Sequence, residues 1–127
     1  MTDAREPSLP QSPAQSGARP PVLVLVRDLM FAGRIGATAR ALNVAVRMIR
    51  EPSALTASAE GQLLIVDLNQ PGALEAAVGW KEASSGEIVG FVSHVDSETI
   101  ARARAAGMDR ILPRSQFVNI LPELLGA

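Results

Sequence analysis

The chain contains no cysteine and no tyrosine, one histidine, one tryptophan and three phenylalanines. Without cysteine there is no disulfide framework, no thiolate zinc site and no cysteine nucleophile. Aromatic residues amount to 3%, too few for a base-stacking platform on nucleic acid. Neither sign of charge prevails. The 12 Lys and Arg against 13 Asp and Glu leave a formal net charge of −1, which argues against general binding of a phosphate backbone. Long apolar runs are missing too: residues 22–26 form the longest strongly apolar stretch, far short of the roughly 20 residues that a membrane span requires. No apolar segment of secretory-signal length occurs among residues 1–21. The phosphate-cradling motifs are absent as well. No G-x-x-x-x-G-K-[ST] occurs, and no G-x-G-x-x-G follows the first apolar run, where Phe31 takes the place of the first glycine. These absences point to a soluble, cytoplasmic protein that engages neither nucleic acid nor membrane.

Residues 1–21 are rich in Pro, Ser, Gln and Ala and show no apolar periodicity. Such a composition buries too little surface to offset its ordering entropy, so the segment reads as a disordered tail ahead of one compact domain, 22–127. In that domain apolar runs at 22–26, 44–49, 63–66, 88–92 and 110–112 read as strands. Between and after them, helical patterns are expected at 30–42, 53–59, 73–82, 97–106 and 115–125. Phe31, Ile35, Ala39 and Leu42 share one face of the first helix, and Asn43 suits the left-handed residue that closes it. Arg47 interrupts the second apolar run, which marks an edge strand. Leu74, Ala77 and Val78 form the inner face of the third helix, with Trp80 packing or partly exposed at its end. Ser53, Asp96 or Ser97, and Ser115 are candidate caps; Gly107 ends the fourth helix, Pro113 stops the fifth strand, and Pro122 breaks or bends the last helix. Strand and helix in strict alternation imply an α/β fold: a flavodoxin-like (βα)₅ doubly wound parallel sheet of strand order 2-1-3-4-5.

In that order the crevice for ligands opens between the first and third strands, at their carboxyl ends. Asp28 and Asp67 flank it, and Ser93 approaches from the fourth strand. Two carboxylates and a hydroxyl suit Mg²⁺ and phosphoryl chemistry, because hard divalent cations take oxygen ligands. Local readings compete at each position. Asp67 can cap its own turn, Asp28 can cap the first helix, and Ser93 can be an ordinary loop hydroxyl. His94, alone of its kind, reads as a local hydrogen-bonding or packing residue, and Arg102 with Arg104 as a solvated face.

Residues 67–72, Asp-Leu-Asn-Gln-Pro-Gly, together with Asp28, Ser93 and the run Gly107-Met-Asp-Arg-Ile-Leu-Pro-Arg114, resemble the response-regulator receiver domain across residues 22–125. The resemblance makes Asp67 the phospho-acceptor, Asp28 a direct Mg²⁺ ligand and Asn69 the donor of a backbone carbonyl to that metal. Ser93 takes the switch position. Three departures bear on function. Arg27 stands where the family has its first acidic residue, which shifts the pocket by two charge units and weakens Mg²⁺ binding. Arg114 replaces the family's lysine as the phosphate-contacting group, and Ser115 replaces the proline after it; a planar fork does not reproduce a point charge. His94 follows the switch serine where the family carries a small residue. If Arg27 points inward it pairs with Asp67 and holds the site in one state without metal; if outward, Asp28 and Asp67 retain weak Mg²⁺ affinity.

The resemblance therefore implies a stand-alone pseudo-receiver in two-component signalling, a non-enzyme in which phosphorylation of Asp67 is absent or inefficient. Its partners would be a sensor kinase or another signalling protein, with homodimerisation through about residues 97–125. The alternative is a flavodoxin-like domain that binds a small molecule or nucleotide. A phosphatase using Asp67 as nucleophile fits poorly, since such enzymes need an acid two residues downstream and position 69 is Asn.

Overall fold

Five short parallel strands form one sheet in the order β2-β1-β3-β4-β5, each followed by a helix. The computed structural model describes residues 21–55, 62–84, 86–93 and 97–126. The expectations for the tail, the stretch 56–61, His94 and Asp96 lie outside the described residues. In chain order the elements are β1 (Val22–Leu25), α1 (Leu29–Ala41), β2 (Val46–Ile49), α2 (Pro52–Leu55), β3 (Leu63–Asp67), α3 (Ala73–Ala83), β4 (Glu87–Val92), α4 (Ser97–Ala105), β5 (Arg110–Pro113) and α5 (Arg114–Gly126). The expected doubly wound (βα)₅ fold and its strand order are both present.

The three inner strands are apolar along their length because a parallel sheet is covered on both faces. Successive side chains on a strand point to opposite faces, and the core divides accordingly. Leu23, Leu25, Leu64, Val66 and Ile88 face α2, α3 and α4, where Leu55, Leu74, Ala77, Trp80 and Ala103 complete one core. Val24, Ile65, Val89 and Phe91 face α1 and α5, where Phe31, Ile35, Phe117 and Leu121 complete the other. All three phenylalanines of the chain meet there. The Phe31–Phe91 and Phe91–Phe117 ring centroids are 4.9 Å apart and Phe31–Phe117 5.9 Å.

The outer strands carry the polar residues. Arg47 and Met48 are exposed on edge strand β2, as the interrupted apolar run predicts. On the opposite edge Pro113 does not stop β5 but is its last residue, in register with Val92; an edge strand tolerates the missing N–H. Asn43 adopts the left-handed conformation at φ 63° after α1. Leu42 is the C-cap of that helix and is exposed, so it leaves the inner face assigned to it. Two caps differ from expectation: Ser53 and Ser115 lie inside α2 and α5, because Pro52 opens the second helix and Arg114 the fifth. Ser97 is the first residue of α4, and the alternative cap, Asp96, lies outside the described residues. Helix α5 runs through Pro122 to Gly126 without a break.

Gly86 leaves room for Trp80, which is fully buried. A Cβ at Gly86 would meet the Trp80 ring and stand 3.1 Å from the Gln62 carbonyl carbon and oxygen, whereas a Cβ at Gly79 would meet nothing within 4 Å. Gly86→Ala is therefore expected to destabilise by about 1–3 kcal/mol through overpacking. Gly79→Ala, inside α3, is expected to stabilise by about 0.5–1 kcal/mol. Urea unfolding of both variants, with an unchanged m-value, checks the contrast.

Candidate functional site

The covered faces leave the carboxyl edge of the sheet as the place where polar side chains converge. Asp28 follows β1 and is the N-cap of α1: its Oδ1 accepts the backbone N–H of Met30 at 3.0 Å and of Phe31 at 3.2 Å. Asp67 ends β3, where its Oδ1 accepts the N–H of Asn69 at 3.0 Å. Both local capping readings are thus realised, and both residues still stand at the sheet edge. Asn69 in turn accepts the Ser93 N–H on its side-chain oxygen at 2.6 Å, joining the end of β3 to the end of β4.

Arg114 closes the arrangement. It follows Pro113 and opens α5, and its guanidinium donates to Asp28 Oδ2 at 3.3 Å and to Ser93 Oγ at 3.4 Å. The same group lies over the Phe31 ring, 3.9 Å from the centroid. An unbroken chain of contacts therefore runs Asp67–Asn69–Ser93–Arg114–Asp28. Five of the residues singled out in the sequence meet in it. Arg27 takes another course and pairs with Glu51 at 3.7 Å, with both side chains more than half exposed. Such a pair contributes about 0–1 kcal/mol.

Sequence reasoning assigned Phe31 only to the inner face of its helix. Its second role, as the floor beneath Arg114, had one faint signal: an aromatic at the third position of a helix capped by Asp28. Arg102 is not a free member of a solvated face, because it pairs with Glu75 on α3 at 2.6 Å. Elsewhere on the sheet, Asp109 accepts from Lys81 Nζ at 2.9 Å and from the Ile88 N–H at 2.8 Å. Those bonds, the Ile88 amide first, hold its carboxyl below the usual range and tie α3 to β4.

Mg²⁺ favours octahedral oxygen coordination, typically one or two carboxylates plus water. Asp28 has both oxygens engaged, one by amides and one by a permanently charged guanidinium. The Asn69 side-chain oxygen is held by Ser93. Among the described residues no three Asp, Glu, His or Cys gather into a metal-binding group. The arrangement as it stands leaves Mg²⁺ in competition with Arg114, which already supplies a cation at Asp28.

No protein-family model and no curated protein sequence matches the chain. Solved structures match its fold. A CheY-like response regulator receiver domain from Methanospirillum hungatei superposes with a TM-score of 0.72 at 12% identity, covering 85% of this chain and 94% of that one. HP1043, an orphan response regulator of H. pylori, gives 0.66 at 17%, covering 86% and 91%. A response regulator from Burkholderia pseudomallei, solved with a phosphorylated aspartic acid, a calcium ion and citrate, gives 0.64 at 19%, covering 81% and 69%. At such identities the likeness establishes the receiver fold. Among the described residues no helix is long and apolar enough to cross a membrane.

The bond from the Phe31 amide, then the Arg114 and Met30 contacts, lowers the Asp28 pKa from its ordinary value. Stability from this carboxylate is present above its unfolded pKa and is lost as pH falls through the lowered folded value. Carboxyl-detected NMR titration is expected to place Asp28 below the ordinary aspartate range, and Arg114→Gln to move it back up. An Asp28 pKa unchanged by that substitution would contradict the contact.

Proposed function

We propose that this chain is an atypical receiver: a non-enzymatic signalling module that works through protein contacts and in which Asp67 is not an efficient phospho-acceptor. One observation carries the reading. Arg114 engages the Asp28 carboxylate, the Ser93 hydroxyl and the Phe31 ring together. In the receiver resemblance these are the metal-ligand position, the switch position and the wall beside them. A guanidinium there takes the place of Mg²⁺ at Asp28 and keeps Ser93 committed in the absence of phosphate. Phosphoryl transfer to a carboxylate needs a divalent cation to neutralise charge on the phosphoryl oxygens. Such a cation must first displace Arg114, and it gains no help from position 27, where Arg27 stands in place of an acid. Mg²⁺ binding at Asp28, Asp67 and Asn69 is therefore weak, and His94 lies beside the same switch position in sequence.

The test is intact-protein mass spectrometry after incubation with acetyl phosphate and millimolar Mg²⁺. No stoichiometric adduct is expected on the native chain. The paired reversal Arg27→Asp with Arg114→Lys is expected to gain Mg²⁺-dependent phosphorylation at Asp67. Stoichiometric, Mg²⁺-dependent modification of the native chain that disappears in Asp67→Ala would overturn the reading.

The contact surface we assign to this module is formed by α4, β5 and α5, within residues 97–125, for a signalling protein or a second copy of the chain. Support comes from composition: Ala103 is the buried residue of α4, while Arg104 is exposed and Arg102 is spent on Glu75. Arg104→Glu is expected to weaken self-association or capture of a co-purifying signalling protein, measured by analytical ultracentrifugation and pull-down. Unchanged values in both would remove this face from consideration.

A further inference from the structure

Between α1 and α5, at the same edge of the sheet, lies a groove whose lining includes Asp28, Phe31, Ser93 and Arg114 and extends beyond them to Arg34, Val118 and Asn119. Its volume is about 970 Å³, at the upper end of the roughly 300–1,000 Å³ usual for small-ligand sites. One wall comes from Met30, Phe31 and Arg34 of α1, and the other from Pro113, Val118 and neighbouring residues of β5 and α5. Two properties of this lining are unusual for an idle surface. Met30 is 87% exposed, so a large apolar side chain of the lining stands in water. Methionine is unbranched and polarisable, which suits it to cover ligands of irregular shape.

The second property is charge. The ionisable side chains of the lining are Asp28, Arg34 and Arg114. Arg114 is matched by Asp28 at 3.3 Å. Arg34 has no ion-pair partner among the described residues. It lies four residues after Met30 on the same helix, so the two side chains neighbour one another on one face. Among the described residues the groove thus presents one unmatched guanidinium next to apolar surface.

We propose that this groove binds a small organic carboxylate with an apolar body. The guanidinium of Arg34 takes the carboxylate through paired N–H donors, the geometry for which arginine is suited. The body lies along Met30 and Val118 towards Pro113. Asp28 sets the polarity of binding, since it repels a second carboxylate and leaves Arg34 as the anion's partner. The inference goes beyond the signalling role: it shares the groove with Asp28 and Arg114, but its anion partner Arg34 has no part in that reading, so the Arg34→Gln comparison can fail while that reading stands.

The experiment is an amide NMR titration of the full chain with 3-phenylpropionate, repeated with its uncharged amide, with inorganic phosphate and on Arg34→Gln. Arg34 is exposed, and a dispersed spectrum of the variant confirms its fold. Saturable shifts at Met30, Arg34, Ser115 and Asn119 are expected, with Kd on the order of millimolar or tighter. Affinity is expected to fall about tenfold or more for the uncharged amide and for Arg34→Gln, as the loss of a charge-assisted bond implies. Absence of saturable shifts would overturn the proposal, as would equal affinity for the acid and its amide or for the native chain and Arg34→Gln. Inorganic phosphate binding equally well at the same residues would also overturn it, because the apolar body would then contribute nothing.

Discussion

A parallel sheet covered by helices on both faces leaves almost no place for a polar side chain except at the strand ends. This constraint organises the molecule. Leu23, Val24, Leu25, Leu64, Ile65 and Val66 are fully buried in the two central strands, β1 and β3. Each inner residue must be apolar whichever face it meets. Asp28, Asp67 and Ser93 therefore appear where β1, β3 and β4 run out, and Arg114 where β5 does. Because β1 lies between β2 and β3, residues far apart in the chain arrive at a common edge.

What those side chains do once assembled depends on small energies acting together. The Asp28 cap satisfies two amides of the first turn of α1. The Arg114–Asp28 pair, with its side chains 37% and 47% exposed, is weakened by solvent screening. The guanidinium over Phe31 adds about 0.5–1 kcal/mol at such exposure. None of these alone holds a side chain in one place. They converge on a single planar group whose face lies on an aromatic ring and whose edges donate to Asp28 and Ser93. The ring is itself fixed by Phe91 and Phe117. Lysine, a point charge on a flexible stem, offers no equivalent to this stacked and forked contact.

The two helical layers differ in how their surfaces are finished. On the α3–α4 side, Glu75 with Arg102 and Lys81 with Asp109 join neighbouring elements. The buried Gln70 donates to the Arg50 carbonyl at 2.9 Å, tying the β3–α3 turn to the end of β2. On the α1–α5 side Met30 and Arg34 face solvent without comparable partners among the described residues. A doubly wound sheet can keep one helical layer tied by such pairs and leave the other without them, since it supports both equally.

Local chemistry made much of this legible from the amino acids. Alternation of apolar runs with helical patterns specified the doubly wound sheet, and Arg47 marked β2 as an edge. Asn43 closed α1 through a backbone conformation that few other residues tolerate. Asp28 was both cap and edge residue because one side chain has two oxygens. The sequence could not set Arg27 against Glu51, place Arg114 on Phe31 or give Ser93 to Asn69. Those contacts span up to 86 positions, as between Arg114 and Asp28. Periodicity and propensity carry no information about a partner so distant. Secondary structure and strand order follow from patterns along the chain; the identity of the cation at Asp28 follows only from packing, which brings α1, β4 and α5 to one edge.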